Sequence, residues 1–421
     1  MTPPITALKS KDVFAHGERL PVYASAEAVV SDLRPDAVVT CIYPDKLREA
    51  ASAFLTSFPG RVLYAVKSNP DARVLRYLRM AGINHFDVAS AEEVRSTRAL
   101  FPKARLSFMH PVKSRSAIAE AYGLGVRDYS LDSASELMKI VEETGSARDL
   151  NLFVRLALPK GTAAYDLSGK FGASTDEAVD LLRAARRVAA KVGLCFHVGS
   201  QCMDPSAFEK AILMARTLVD RAGVKIDILD VGGGFPVSYP GLEPPALGHY
   251  MDAIRSATSA MFPGTELWCE PGRALAGAGA SVIVKVELRR NNSLYINDGT
   301  YGTLFDAGSF GWRYPVRAIR HNRELKGDLV PFSFFGPTCD NVDYMEGPFH
   351  LPADIDEGDW IEIGQLGAYG AAMRTRFNGF HSDLTVAIVP ERAYADAGRN
   401  IRTLPTSKQH AARAGARFGR K

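Results

Sequence analysis

Between residues 61 and 270 short apolar runs alternate with longer stretches in which apolar positions recur at helical spacing. Eight runs have strand length: Arg61 to Lys67, Ile83 to Val88, Arg105 to Met109, Arg127 to Leu131, Asn151 to Ala157, Leu194 to Val198, Ile226 to Val231 and Glu266 to Glu270. Near-continuous apolarity is expected of parallel strands covered on both faces. The intervening stretches carry helix punctuation. Ser90 with Glu93, Ser133 with Glu136 and Ser174 with Glu177 have capping-box spacing, and Asp204-Pro205 reads as a further helix start. Gly82, Gly145, Gly193 and Gly223 are placed to close helices. Eight successive βα units, each connection right-handed, predict a closed (β/α)8 barrel of TIM type.

After Gly272 the pattern changes. Ser281 to Arg289, Ser293 to Asn297, Val316 to Arg320, Leu329 to Phe335 and Trp360 to Ile363 are strand-like, without long helices between them. They predict a second, mainly antiparallel β domain. The expected division is a barrel over 41–275, a β domain from 1–40 plus 276–400, and a basic tail over 401–421.

The chain of 421 residues exceeds the roughly 250 of a barrel, which supports the second domain. With 46% hydrophobic and 23% charged residues it has the composition of an ordinary globular protein. Its net charge of +4 comes from the end of the chain, because residues 399–421 hold seven Lys or Arg and no acid, leaving about −3 elsewhere. Such an end reads as a solvated tail, so no nucleic-acid partner is expected. Cys41, Cys195, Cys202, Cys269 and Cys339 form an odd set without a C-x-x-C pair, which argues against a disulfide framework or zinc ribbon. No stretch reaches the roughly 18 apolar residues of a membrane span, and residues 1–14 lack a signal-peptide core. A cytoplasmic protein without membrane contact is expected.

Barrel enzymes place their chemistry at the carboxyl ends of the strands, and four features fall there. Lys67 ends the first strand, and alternation puts it on the side of Leu63 and Ala65, facing the barrel mouth. A lysine at that position is either a reactive amine for an aldehyde cofactor or a cation reaching solvent. Gly232-Gly233-Gly234 after the seventh strand lets backbone N–H groups approach an anion, or forms a tight turn. Glu270 and Arg273 follow the eighth, where an acid can hold a pyridine nitrogen protonated and a guanidinium can bind phosphate. His197 follows the sixth and could stack on a cofactor ring. Together they point to a pyridoxal phosphate site.

Taken in order from about Leu20 to Tyr394, these segments resemble the pyridoxal-phosphate-dependent amino acid decarboxylases of fold type III, the ornithine and diaminopimelate decarboxylase family. The resemblance implies that Lys67 carries the cofactor, that Asp87 and Arg155 support the pocket, and that His197 stacks on the ring. Ser200, Gly234, Arg273 and Tyr369 would bind phosphate, Gly233 and Gly272 would also contact the cofactor, and Glu270 would pair with the ring nitrogen. It also implies a homodimer with shared active sites, Cys339 and Asp340 of Gly336-Pro337-Thr338-Cys339-Asp340 entering from the partner.

Asp340 after the cysteine, Asn297-Asp298-Gly299-Thr300-Tyr301-Gly302 and Leu167-Ser168-Gly169-Lys170-Phe171-Gly172 are similar to the ornithine branch. That branch has an acid for the distal amine where this chain reads Gly308-Ser309-Phe310-Gly311-Trp312, so Asp340 or Asp306 is expected in that role. The reaction implied is decarboxylation of a basic L-amino acid, ornithine or lysine, to putrescine or cadaverine, with Cys339 returning a proton to the α-carbon. Diaminopimelate, a diamino-acid adduct, racemisation and a non-catalytic pyridoxal-phosphate-binding regulator are the alternatives. A glutamate at the ring nitrogen favours decarboxylation over racemisation, for which an arginine is the usual partner.

Overall fold

Helix starts follow the local chemistry of the chain. The computed structural model describes residues 20–161, 163 and 169–390; the basic tail, residues 1–19, Leu167, Ser168 and residues 391–400 lie outside the described residues. The hydroxyls of Ser90, Ser133 and Ser174 each accept the backbone N–H three residues on. Only Ser174 forms a full capping box with its glutamate. Glu93 turns instead to the Ala89 N–H at 2.7 Å, and Glu136 is drawn to Lys113 at 2.9 Å. Asp204 accepts the Ser206 N–H at 2.9 Å and starts the helix Ser206–Ala222, which Gly223 closes at φ 62°.

The predicted barrel is present. Strands Arg61–Ala65, His85–Val88, Arg105–Phe108, Asp128–Leu131, Asn151–Arg155, Lys191–Cys195, Ile228–Asp230 and Glu266–Cys269 form a closed parallel ring. One boundary corrects the sequence reading. Gly193 does not end a helix; it lies inside the sixth strand, and a Cβ there would stand 2.3 Å from the Phe153 ring. The absent side chain makes room for Phe153, and the strand starts at Lys191 rather than Leu194.

The strand faces divide by chemistry. Val62, Tyr64, Phe86, Leu106, Tyr129, Leu152, Leu194 and Leu229 point outward into the large core beneath the helices. Inside, Asn151, Phe153 and Arg155 on the fifth strand, and Glu266, Trp268 and Glu270 along the eighth, mark three tiers. The floor is polar: Asp128 accepts two hydrogen bonds from Arg105 at 2.7 and 2.8 Å, one from Ser107 at 2.9 Å and one from Asn151 at 2.6 Å. The middle is a small apolar cluster of Leu63, Met109, Phe153, Cys195, Ile228 and Trp268. The upper tier holds the candidate chemistry.

The second domain is a nine-stranded mixed sheet centred on Ala280–Arg290, which pairs antiparallel with Val39–Ile42, Ser293–Ile296 and Trp360–Ile363. Three of its pairings are parallel. The start of the chain, assigned to this domain, adds the strands Val22–Tyr23 and Val39–Ile42, while Tyr344–Pro352 and Thr385–Ile388 are two strands that were not expected. The strand Tyr344–Pro352 contains Gly347-Pro348, which reads as a break, and it is accommodated at the sheet edge where a missing N–H costs no ladder bond. A loop of this domain docks on the barrel rim: Asn69 Nδ2 donates to the Gly367 carbonyl at 2.8 Å, and the Tyr369 N–H to the Ser68 carbonyl at 2.8 Å. No helix among the described residues is long and apolar enough to cross a membrane.

Candidate active site

The first strand ends at Ala65 and tightens into a 3₁₀ turn, Val66–Ser68, that swings Lys67 over the barrel mouth. There its Nζ donates to Asp87 Oδ2 at 3.0 Å. The Lys67 side chain is 44% exposed, and it lines a cavity of about 400 Å³ at the barrel mouth. Burial alone would lower its affinity for a proton; Asp87, Tyr369 and Glu270 outweigh that and raise it. Ten of the residues expected at the site line this one cavity: Lys67, Asp87, Arg155, His197, Ser200, Gly234, Glu270, Gly272, Arg273 and Tyr369.

His197 is half-buried at the cavity wall, and its Nδ1 accepts the Gly199 N–H at 3.0 Å. Burial, then the charges of Arg155 and Lys67, lower its pKa to about 3, so the ring is neutral and suited to stacking. Gly233 lies against it: a Cβ there would stand 2.7 Å from the Glu270 carbonyl oxygen and 3.1 Å from His197 Nε2. Gly234 has φ +95°, and its Cβ would meet the Gly199 carbonyl oxygen at 2.4 Å. Glycine is required at both positions by close approach.

Arg273 is the most constrained cation of the site. Its Nη1 donates to Tyr239 Oη at 3.0 Å and its Nη2 to Asp306 at 3.2 Å, while the guanidinium lies 4.4 Å from the Trp312 ring and 4.7 Å from that of Tyr369. Its Nε is buried without a partner. Tyr369 reaches this position at φ +60°, a left-handed conformation stabilised by its bond to Ser68.

Cys339, Asp340 and Asp306 do not line the cavity. Cys339 is exposed on the β domain, its thiol 3.5 Å from Asn378 Oδ1, and Asp340 accepts the Tyr301 hydroxyl at 2.6 Å. Asp306 is buried in its ion pair with Arg273. Four contributors escaped the sequence reading. Gln201 bridges two loops of the site by accepting the Val237 N–H at 2.8 Å and donating to the Val237 carbonyl at 2.7 Å. Tyr239 and Trp312 hold Arg273. Asp230 lies on the inner face of the seventh strand, where alternation with Ile228 could have flagged it.

A barrel with a reactive lysine, an acid and an anion cradle on one rim, closed by a β-domain loop, defines a cofactor-dependent enzyme of the pyridoxal phosphate class. Residues 44–277 match the family described as "Pyridoxal-dependent decarboxylase, pyridoxal binding domain". The chain is 36% identical over 362 residues to the lysine/ornithine decarboxylase of Selenomonas ruminantium, covering 83% of this chain and 89% of that one. To the ornithine decarboxylase of Schizosaccharomyces pombe it is 34% identical over 343 residues, with 77% and 76% covered. The solved lysine/ornithine decarboxylase of Vibrio vulnificus complexed with cadaverine superposes at a TM-score of 0.74, with 28% identity and coverage of 86% and 95%. The chain belongs to the pyridoxal-dependent decarboxylases, in the ornithine decarboxylase branch.

The cavity fits the cofactor this family uses. The orphaned Arg273 Nε, with Ser200 and Gly234 in the cavity lining, suits a phosphate, Lys67 offers an amine to an aldehyde, and Glu270 offers a carboxyl to a ring nitrogen, while Gly233 lies outside the lining, against His197 and Glu270.

Proposed function

We propose that this enzyme decarboxylates a basic L-amino acid, L-ornithine first and L-lysine second, releasing CO2 and the diamine. The observation that carries the reading is that Lys67 and Glu270, brought from the first and last strands, line one cavity. When bound, pyridoxal phosphate supplies the electron sink for the pair left on the α-carbon as CO2 departs. Lys67 would be the attachment point, and Asp87 holds its amine in place. Glu270 would keep the ring nitrogen protonated, and neutral His197 would lie against the ring. Arg273, Ser200, Gly234 and Tyr369 would hold the phosphate, with Gly233, Gly272, Arg155 and Asp87 completing the cofactor pocket.

Cys339 and Asp340 act in the other half of a homodimer. They stand beside exposed Val342, Tyr344, Phe377 and Phe380, an apolar surface that a second copy of the chain covers. The thiol then returns the proton to the α-carbon, and Asp340 of the partner subunit meets the distal ammonium. Asp306 is engaged by Arg273, which leaves Asp340 as the acid for that end. All five cysteines are free, in keeping with a reducing cytoplasm.

CO2 release from a panel of ornithine, lysine, arginine and diaminopimelate tests the reading. Ornithine or lysine should lead, and preference for diaminopimelate would replace the substrate assignment. Lys67→Ala should abolish turnover and the borohydride-trapped cofactor adduct seen by mass spectrometry; a retained adduct refutes the role of Lys67.

A further inference from the structure

Two carboxylates at the barrel mouth, Asp230 and Glu270, each carry a buried oxygen with no hydrogen-bond partner. With Asp87 they face inward, while Lys67, Arg155, Lys170 and Arg273 are the cations of the cavity lining. Asp87 is paired with Lys67 at 3.0 Å. Asp230 has no such partner: its Oδ1 accepts the Gly232 N–H at 2.8 Å, while its Oδ2 is buried with no hydrogen-bond partner. Glu270 Oε1 is buried and orphaned in the same way.

These two groups project inward from neighbouring strands: Asp230 stands opposite Trp268, two residues before Glu270, and the Glu270 N–H donates to the Gly232 carbonyl at 2.8 Å. Ionised carboxylates carry only acceptors, so contact between two of them leaves both orphaned oxygens unsatisfied and two like charges desolvated. A single proton between them satisfies both oxygens.

We propose that Asp230 is a positioning residue that shares one proton with Glu270, anchoring one Glu270 oxygen and leaving the other for the ring nitrogen. The inference rests on the reading of Glu270 given above. Asp230 does not line the cavity, so it acts through Glu270. Burial first, then the charges of Asp230 and Asp87, drive the Glu270 carboxyl well above the usual carboxylate range, and burial moves Asp230 the same way. Asp87, Lys67, Arg155, Cys195 and Cys269 are the other charged or titratable groups facing the pair.

Infrared difference spectra of the full-length protein, before and after cofactor loading, test the shared proton directly. At neutral pH the cofactor-free protein should show a protonated-carboxyl band in the wild-type minus Asp230→Asn spectrum and in the wild-type minus Glu270→Gln spectrum. Each amide removes one acid and supplies an N–H donor, so the remaining carboxylate ionises. A band absent from either difference spectrum overturns the shared proton. Cofactor affinity tests the positioning. Asp230→Asn should bind pyridoxal phosphate within about threefold of wild type, whereas Asp230→Ala should lose roughly 10- to 100-fold, the scale of one hydrogen bond to a charged group.

Equal affinities for the two Asp230 variants refute the donor role. Should Asp230→Ala not fold, the infrared measurement on the two amide variants still decides the proposal. Glu270→Gln separates the two readings: unchanged cofactor absorption and affinity in that variant defeat the ring-nitrogen role of Glu270, whereas failure of the Asp230 role appears as an impaired Glu270→Gln beside an unaffected Asp230→Ala.

Discussion

Arg273 spends two of its nitrogens on Tyr239 and Asp306 and keeps Nε buried and unused, so its fork is oriented before any anion arrives. Burial opposes its charge, but Tyr239 and Asp306 outweigh burial and hold it cationic. Arg273→Ala is expected to weaken pyridoxal phosphate binding roughly 10- to 100-fold, with much of the turnover recovered at saturating cofactor. Fluorescence titration of the cofactor-free protein reads the affinity. Arg273→Lys should rescue little, because an ammonium cannot reproduce the fork between two aromatic rings. Lys67, His197, Glu270 and Arg273 were legible in the sequence because each follows an apolar run at a strand end. Gln201, Tyr239 and Trp312 were not, because they act by bracing loops, and nothing local in a sequence distinguishes a bracing glutamine from a surface one. Asp306 was noticed, but its partner lies 33 positions away in the chain and no local spacing points to it.

At the scale of the element, strand periodicity carried most of the information. All eight barrel strands were legible as apolar runs, and the inner positions followed by alternation. The sixth was displaced because Gly193 reads as a helix stop, when its purpose is to clear the Phe153 ring. The edge strand Tyr344–Pro352 was hidden by its proline. The barrel floor yields a stability test. Burial alone would raise the Asp128 pKa, but the hydrogen bonds and charge of Arg105, with the Asn151 bond, hold it below the usual carboxylate value. A lowered acid stabilises the fold fully above the ordinary carboxylate pKa, and the contribution is lost as pH falls toward the depressed value. Asp128→Ala is expected to cost about 3 kcal/mol near neutral pH, since it strands Arg105 and Asn151 on the barrel floor. Denaturant unfolding should show that loss shrinking as pH drops, while cofactor affinity at the opposite end stays near wild type.

For the whole molecule, the separation of Lys67 from Cys339 is the informative fact. Each chain carries a mouth without the thiol and a thiol outside its own mouth. In a homodimer with shared sites, Lys67→Ala and Cys339→Ala proteins are each inactive, but mixing them under conditions of subunit exchange should restore activity, because one mouth of every mixed dimer has both residues intact. No recovery, with exchange verified by native mass spectrometry, places the thiol outside catalysis. The two-faced strands carry a broader consequence. Their outward side chains anchor the scaffold while the inward upper tier meets the reactants, so mutational drift can retune substrate choice at the mouth without loosening the framework that supports it. One architecture can in this way serve many neighbouring chemistries.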